Sequence, residues 1–201
     1  MEGVWLEFVG FPCGCYRYSM PIGLRDYEGV WGFRVFRDVG LARLLESCGM
    51  IPSFDLFLLA PSDPLVFVES YFHRLEWRIQ WGWSGCPSPE PGLGSWFYCS
   101  ARLAGGGEWG YSYVCEGGLR GIVKGGSPPS YYRAYGCIVE LLVLHSKVMS
   151  GVDVEVDAAR YAEGLYWCVV RSAPGRGDLW LEAWRLLQGI RAALGEARAC
   201  S

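Results

Sequence analysis

Three strand-forming segments, residues 96–103, 109–115 and 119–124, are separated by short connections that contain Ala104-Gly105-Gly106-Gly107 and Glu116-Gly117-Gly118. Strands joined by so few residues can pair only antiparallel, because a parallel neighbour needs a crossover of a dozen residues or more. An antiparallel sheet is therefore expected at the centre of the fold. Residues 74–83 add Leu75, Trp77, Ile79, Trp81 and Trp83 at alternate positions, the clearest period-2 signal in the chain, and read as a further strand. Residues 4–9, 30–36, 55–59, 152–156 and 165–170 read as shorter strands bounded by turn residues.

Helical spacing appears elsewhere. Leu41, Leu44, Leu45 and Cys48 recur on one face after Asp38, an expected N-cap, and Gly49 and Pro52 stop the run. Residues 65–71, entered through Pro64, read as a helical turn. Ser127-Pro128-Pro129 can start a helix over residues 131–149 that is apolar nearly all round, so it is expected to be central. Asp178 is expected to cap an amphipathic helix to about Ala197, carrying Leu179, Leu181, Trp184, Leu187, Ile190 and Leu194. The fold class expected is α+β: a mostly antiparallel sheet packed with a central apolar helix and a C-terminal amphipathic helix. At 201 residues a single globular domain over 1–201 is expected.

Charge narrows the function classes. Lys and Arg number 18 against 21 Asp and Glu, for a net charge of −3, which argues against a basic nucleic-acid-binding tail. No uninterrupted apolar run reaches the length of a membrane span, since the stretch from Ile138 to Leu144 is broken by Glu140. Glu2 and Glu7 stand where a signal peptide would carry basic residues, so a mature, non-secreted chain is expected. Nine cysteines, an odd number, suit free thiols in a reducing compartment better than a closed disulfide framework.

The same residues admit several chemistries. Zinc needs four converging Cys or His ligands, and Cys13, Cys15, Cys86 and Cys99 form a composite candidate; their alternative is to be small buried hydrophobes. Cys137 and His145, eight residues apart on the expected helix, cannot share an ion. A thiol-dependent hydrolase would pair a cysteine with His73 or His145, although no local pattern supports the pairing. Asp153, Glu155 and Asp157 fall on one face of an expected strand, where a solvated face is the simpler reading. Gly105-Gly106-Gly107 lacks the Lys-Ser/Thr of a P-loop, and Gly92-Leu93-Gly94 lacks the third glycine of a dinucleotide fingerprint. The aromatic surplus, 10 Trp, 12 Tyr and 9 Phe, leans towards a partner-binding protein.

In order along the chain, Phe8-Val9-Gly10-Phe11-Pro12-Cys13, the helix Leu44-Leu45-Glu46-Ser47-Cys48-Gly49-Met50, and Gly121, Val123, Tyr131, Ile138 with the run from Leu141 to Leu144 are similar to the adenovirus early region 4 34 kDa protein family. The resemblance implies a non-enzymatic viral early adaptor acting in host–virus interaction, located in the host nucleus and cytoplasm. Such an adaptor would join host elongin B and elongin C, a cullin ubiquitin ligase and the viral early region 1B 55 kDa protein. It would direct degradation of host defence and DNA-repair factors and promote viral late mRNA export. Membrane and direct nucleic-acid partners are not expected. The implied elongin-binding box consists of Leu44, Leu45 and Cys48, with Leu44 and Cys48 one turn apart on the same helical face. No catalytic residue is implied, and zinc is the one cofactor considered. A zinc-stabilised interaction module and a thiol-dependent hydrolase stand as alternatives.

Overall fold

A computed structural model describes residues 5–14, 16–37, 40–125, 132–151, 154 and 157–195. The chain divides into two compact units, residues 1–62 with 69–127, and residues 63–68 with 128–201.

The first unit is a closed antiparallel barrel. Its strands are β1 (Trp5–Pro12), β2 (Met20–Tyr27), β3 (Val30–Phe36), β4 (Ser53–Pro61), β5 (Gly94–Gly107) and β6 (Gly110–Val123), in the order β1-β2-β3-β6-β5-β4. Closure comes from β1 pairing with β4, Val9 opposite Leu59 and Phe11 opposite Phe57. Alternation along the strands then fills the interior: Phe8, Leu24, Phe33, Val35, Phe54, Leu56, Leu58, Cys99, Ala101 and Tyr113 form one buried cluster. Tyr113 stacks on Phe33 at 5.4 Å and meets Phe54 edge-on at 5.1 Å, and its hydroxyl donates to the Ile51 carbonyl oxygen at 3.0 Å. Burial pushes that phenol's pKa up to about 12.

Glycine sets the barrel's tightest approach. Gly110 opens β6 at φ 149°, and a Cβ there would lie 2.2 Å from the Val35 carbonyl oxygen, so β3 and β6 can meet only around a residue without a side chain. Gly117 and Gly118, both at positive φ, lie inside β6 and shift its register against β5 between Tyr98–Arg120 and Ser100–Glu116.

Helix α1 (Gly40–Ser47) buries Leu41, Ala42, Leu44 and Leu45 in the barrel's own core. The alternate strand positions Val9, Phe11, Leu59 and Trp96 are wholly buried on the other face, where Phe11 packs against Trp96 at 5.2 Å and Trp81 at 6.1 Å. Residues between helix α2 (Leu65–Tyr71) and β5 thus cover the outside of β1 and β5.

In the second unit α3 (Tyr132–Met149), α4 (Ala158–Ser172) and α5 (Gly177–Ala193) pack on one another. Their shared core includes Ile138, Leu141, Ala162, Leu165, Val169, Leu179, Ala183, Leu186 and Ile190. Phe67, wholly buried, meets Tyr135 at 5.2 Å, and Arg176 bridges Asp63 and Asp178 at 3.0 and 2.9 Å. Gly189 lets α5 approach His145, since a Cβ there would lie 2.5 Å from Nε2.

Several expectations are corrected. The architecture is not a sheet packed with a central apolar helix. The sheet closes on itself and is filled by its own side chains and α1, while α3 has a polar side and sits among helices. Residues 74–83 are not a strand: Leu75–Trp77 forms a 3-10 turn, and the alternation fails because Leu75 and Ile79 are buried while Trp77 and Trp83 are exposed. Residues 109–115 and 119–124 belong to one bulged strand, and 165–170 lies within α4. The free-thiol expectation is overturned by bonds Cys13–Cys86, Cys99–Cys115 and Cys137–Cys168, with Cys48 also disulfide-bonded. Asp38, Ser127, Pro128, Pro129, Ala197 and most of the expected strand 152–156, with Asp153 and Glu155, lie outside the described residues.

Candidate functional site

The barrel unit carries a cleft of about 450 Å³ lined by Arg17, Tyr18, His73, Glu76 and Trp77. Two chain segments build it. Residues 16–19 lead into β2, and residues 72–77 follow α2; the Cys13–Cys86 bond ties the flanks of both segments together.

Helix α2 ends in a left-handed turn. The Arg74 amide donates to the Glu69 carbonyl oxygen at 2.7 Å and the His73 amide to that of Ser70 at 3.0 Å, the paired bonds of a Schellman cap. The residue making the second of these bonds sits at positive φ, where glycine is the usual occupant, yet here it is His73 at φ 53°. A side chain in that conformation costs about 1 kcal/mol relative to glycine. The turn swings the imidazole back over the segment before β2, where it packs on the Tyr18 ring at 5.1 Å.

Glu76, three residues on, is the hub. Its Oε1 accepts from the Ser19 amide and the Ser19 hydroxyl, both at 2.7 Å, and faces His73 Nδ1 at 3.4 Å. The Trp81 indole donates to the Glu76 carbonyl oxygen at 3.0 Å. Only 11% of the Glu76 side chain is exposed, and its Oε2 is buried without a hydrogen-bond partner among the described residues. A buried acceptor left unmatched costs about 1–3 kcal/mol, so a donor brought by a ligand has energy to recover here. Burial, and next the Glu76 charge, push the Tyr18 phenol up to about 12, which keeps it protonated and able to donate. Trp77, which also lines the cleft, is 89% exposed. The cleft therefore offers two aromatic surfaces, a guanidinium, an imidazole and a carboxylate with one uncommitted oxygen.

The residues expected to act lie elsewhere. Leu44 and Leu45 are buried in the barrel core, and Cys48 is disulfide-bonded. Cys13 faces Cys86, Cys99 faces Cys115 across β5 and β6, and Cys15 lies outside the described residues. Among the described residues no three His, Cys, Asp or Glu side chains gather as metal ligands, which corrects the zinc expectation. His145 is buried in the helical unit, and the described residues lining the cleft beside His73 include no cysteine, so the thiol-hydrolase alternative finds no constellation among the described residues.

Arg17, Tyr18, Glu76 and Trp77 carried no functional reading in the sequence. The available signal was His73 and Glu76 at i, i+3, and it was hidden by reading residues 74–83 as a strand, which turns Glu76 away from its neighbours.

The fold defines a class, closed antiparallel barrels with accompanying helices. The FMN-bound protein MM1853 from Methanosarcina mazei (DUF447) superposes with a TM-score of 0.67 over 96% of each chain at 14% identity, a likeness of fold. Two further structures match part of this chain. BorF, the flavin reductase component of a bacterial two-component tryptophan halogenase, matches 61% of this chain and 80% of its own at TM-score 0.39 and 16% identity. The NADH:FAD oxidoreductase SgcE6 of Streptomyces globisporus matches 63% of this chain and 76% of its own at TM-score 0.40 and 18% identity. Likenesses of that extent support no argument about function. No protein-family model and no curated protein matches the sequence.

These findings overturn the adenoviral resemblance and the adaptor reading drawn from it. The whole-chain likeness is to a different fold, and the leucine helix assigned to elongin packs inside the barrel. The adaptor function, its host ubiquitin-ligase partners, the viral early region 1B partner and the non-enzymatic reading all rested on that resemblance and fall with it.

Proposed function

We propose that the chain is a flavin-binding, redox-active barrel protein, and that the cleft between residues 16–19 and 72–77 receives the flavin. The observation that carries the reading is the fold likeness to an FMN-bound protein across 96% of both chains. The cleft residues fit the group. Its volume, about 450 Å³, suits a small cofactor. Tyr18 and Trp77 supply flat surfaces on which a three-ring heterocycle can stack. The buried Glu76 Oε2 is an acceptor awaiting a donor, and flavins carry both an imide N–H and ribityl hydroxyls. Arg17 supplies a guanidinium suited to a phosphate.

When bound, a flavin supplies reversible one- and two-electron transfer. The chain's own part is to hold and desolvate it. Ser19, fixed by two bonds to Glu76, holds the backbone leading from Tyr18 into β2, and the Tyr18 phenol remains protonated at neutral pH. The test is titration of the purified full chain with FMN, riboflavin and FAD, read by quenching of flavin fluorescence. Saturable binding of at least one, weakened by Trp77→Ala, supports the reading; no saturable binding of any flavin overturns it.

A further inference from the structure

The imidazole of His73 occupies a backbone position that favours glycine, and the fold itself does not call for a side chain there. The Schellman bonds that need the left-handed turn are made by main-chain atoms. His73 does not fill the core either, because 56% of its side chain is exposed. What it does is line the cleft beside Arg17, with its ring laid on Tyr18 and its Nδ1 facing Glu76. That arrangement engages one ring nitrogen and leaves Nε2 without a partner among the described residues. Held this way, His73 in its imidazolium form offers Nε2–H, and Arg17 its guanidinium N–H groups, so that an anion in the cleft meets donors from two different chain segments.

We propose that His73 and Arg17 together form the phosphoryl-binding end of the cleft, so that the protein selects a flavin bearing a terminal phosphate monoester over the same flavin without it. The inference rests on the proposed flavin site and deepens it by assigning the ligand class. Glu76 is the positioning residue: it orients the imidazole through Nδ1 and fixes the residue following Tyr18 through Ser19. Neither role requires any change in the barrel.

The left-handed backbone separates a binding role from a structural one. In His73→Gly the imidazole is lost at a position where glycine relieves strain, so the thermal midpoint should be unchanged or higher. The wild-type chain should bind FMN at least about tenfold more tightly than riboflavin, the size of a charge-assisted hydrogen bond or two. In His73→Gly that preference should fall to within about twofold, through loss of FMN affinity with riboflavin affinity kept. His73→Asn, which tolerates the same backbone, should also lose most of the preference, and Arg17→Ala should reduce it independently. Inorganic phosphate should compete with FMN on the wild-type chain and not with riboflavin. Retention of the full preference in His73→Gly would overturn the assignment. So would a lowered midpoint accompanied by equal loss of both flavins, since the imidazole would then be structural. If the wild-type chain binds neither flavin, the flavin reading itself fails and this assignment with it; if it binds both equally, only the phosphoryl assignment fails.

Discussion

Removing the Cys13–Cys86 bond should weaken the barrel measurably, by an amount that depends on where the bond sits. The bond closes a loop of 73 residues. In the chain-entropy account a cross-link lowers the entropy of the unfolded chain by 2.1 + 1.5R ln n cal/mol/K, which for this loop is about 15 cal/mol/K, or about 4 kcal/mol at 25 °C. The Cys99–Cys115 bond, with a separation of 16, gives about 3 kcal/mol by the same rule. Cys99 and Cys115 are buried, so replacing them also removes packing, whereas Cys13 and Cys86 are half-buried and the entropic contribution dominates. The variant is Cys13→Ala with Cys86→Ala. The assay is native-state hydrogen exchange of the β1–β4 ladder amides, such as those around Val9 and Leu59, whose slowest members report opening of the barrel itself. Their opening free energy should drop by about 4 kcal/mol relative to wild type. A drop below about 1 kcal/mol, with peptide mapping showing the bond intact in the wild-type chain, would refute the loop-entropy reasoning.

Two further outcomes are expected. Burial holds the His145 pKa below its ordinary 6.5, so the unfolded chain binds the proton more readily than the folded one; stability is full above the unfolded value and declines as pH falls from about 6.5 towards the lowered folded value. Denaturant midpoints of the helical unit measured across that window should show the decline, and His145→Gln should flatten it. Leu45→Ala empties a wholly buried site in the barrel and should cost about 2–5 kcal/mol in chemical denaturation; a loss under about 1 kcal/mol would contradict the core placement.

What could be read from the sequence was whatever depends on neighbours a few residues away. The hairpin of β5 and β6 comes from glycine punctuation, and β3, α1, α2, α3 and α5 come from local periodicity and proline or glycine stops. The failures share a different cause. Gly117 and Gly118 look like a turn, but whether paired glycines end a strand or bulge it is decided by the partner strand, here β5 continuing past them. Val169 and Val170 favour a strand locally, yet Ala158, Ala162, Leu165 and Val169 share one helical face buried among α3 and α5, and that packing overrides propensity. Barrel closure is invisible for the same reason, because β1 and β4 pair across forty or more residues. The cleft is less legible still, since it joins Tyr18 and Ser19 to His73 and Glu76 through contacts 55 to 57 residues apart, with only the His73–Glu76 spacing visible locally.

The helical unit is discontinuous in sequence, and that shapes how a ribosome delivers it. Val66, Phe67 and Val68 belong with residues 128–201, although the barrel's later strands are synthesised in between. Phe67 must wait for Tyr135, its ring partner, while the 68 residues separating them are added, about 3 to 14 seconds at ordinary elongation rates. For that interval Phe67, in a Val-Phe-Val segment that ends fully buried, lacks its ring partner. A nascent chain paused between the two stretches should therefore be a chaperone client even when every strand of its barrel is already in place. For the same reason, cutting the chain after residue 127 would strand an apolar segment rather than liberate a clean barrel.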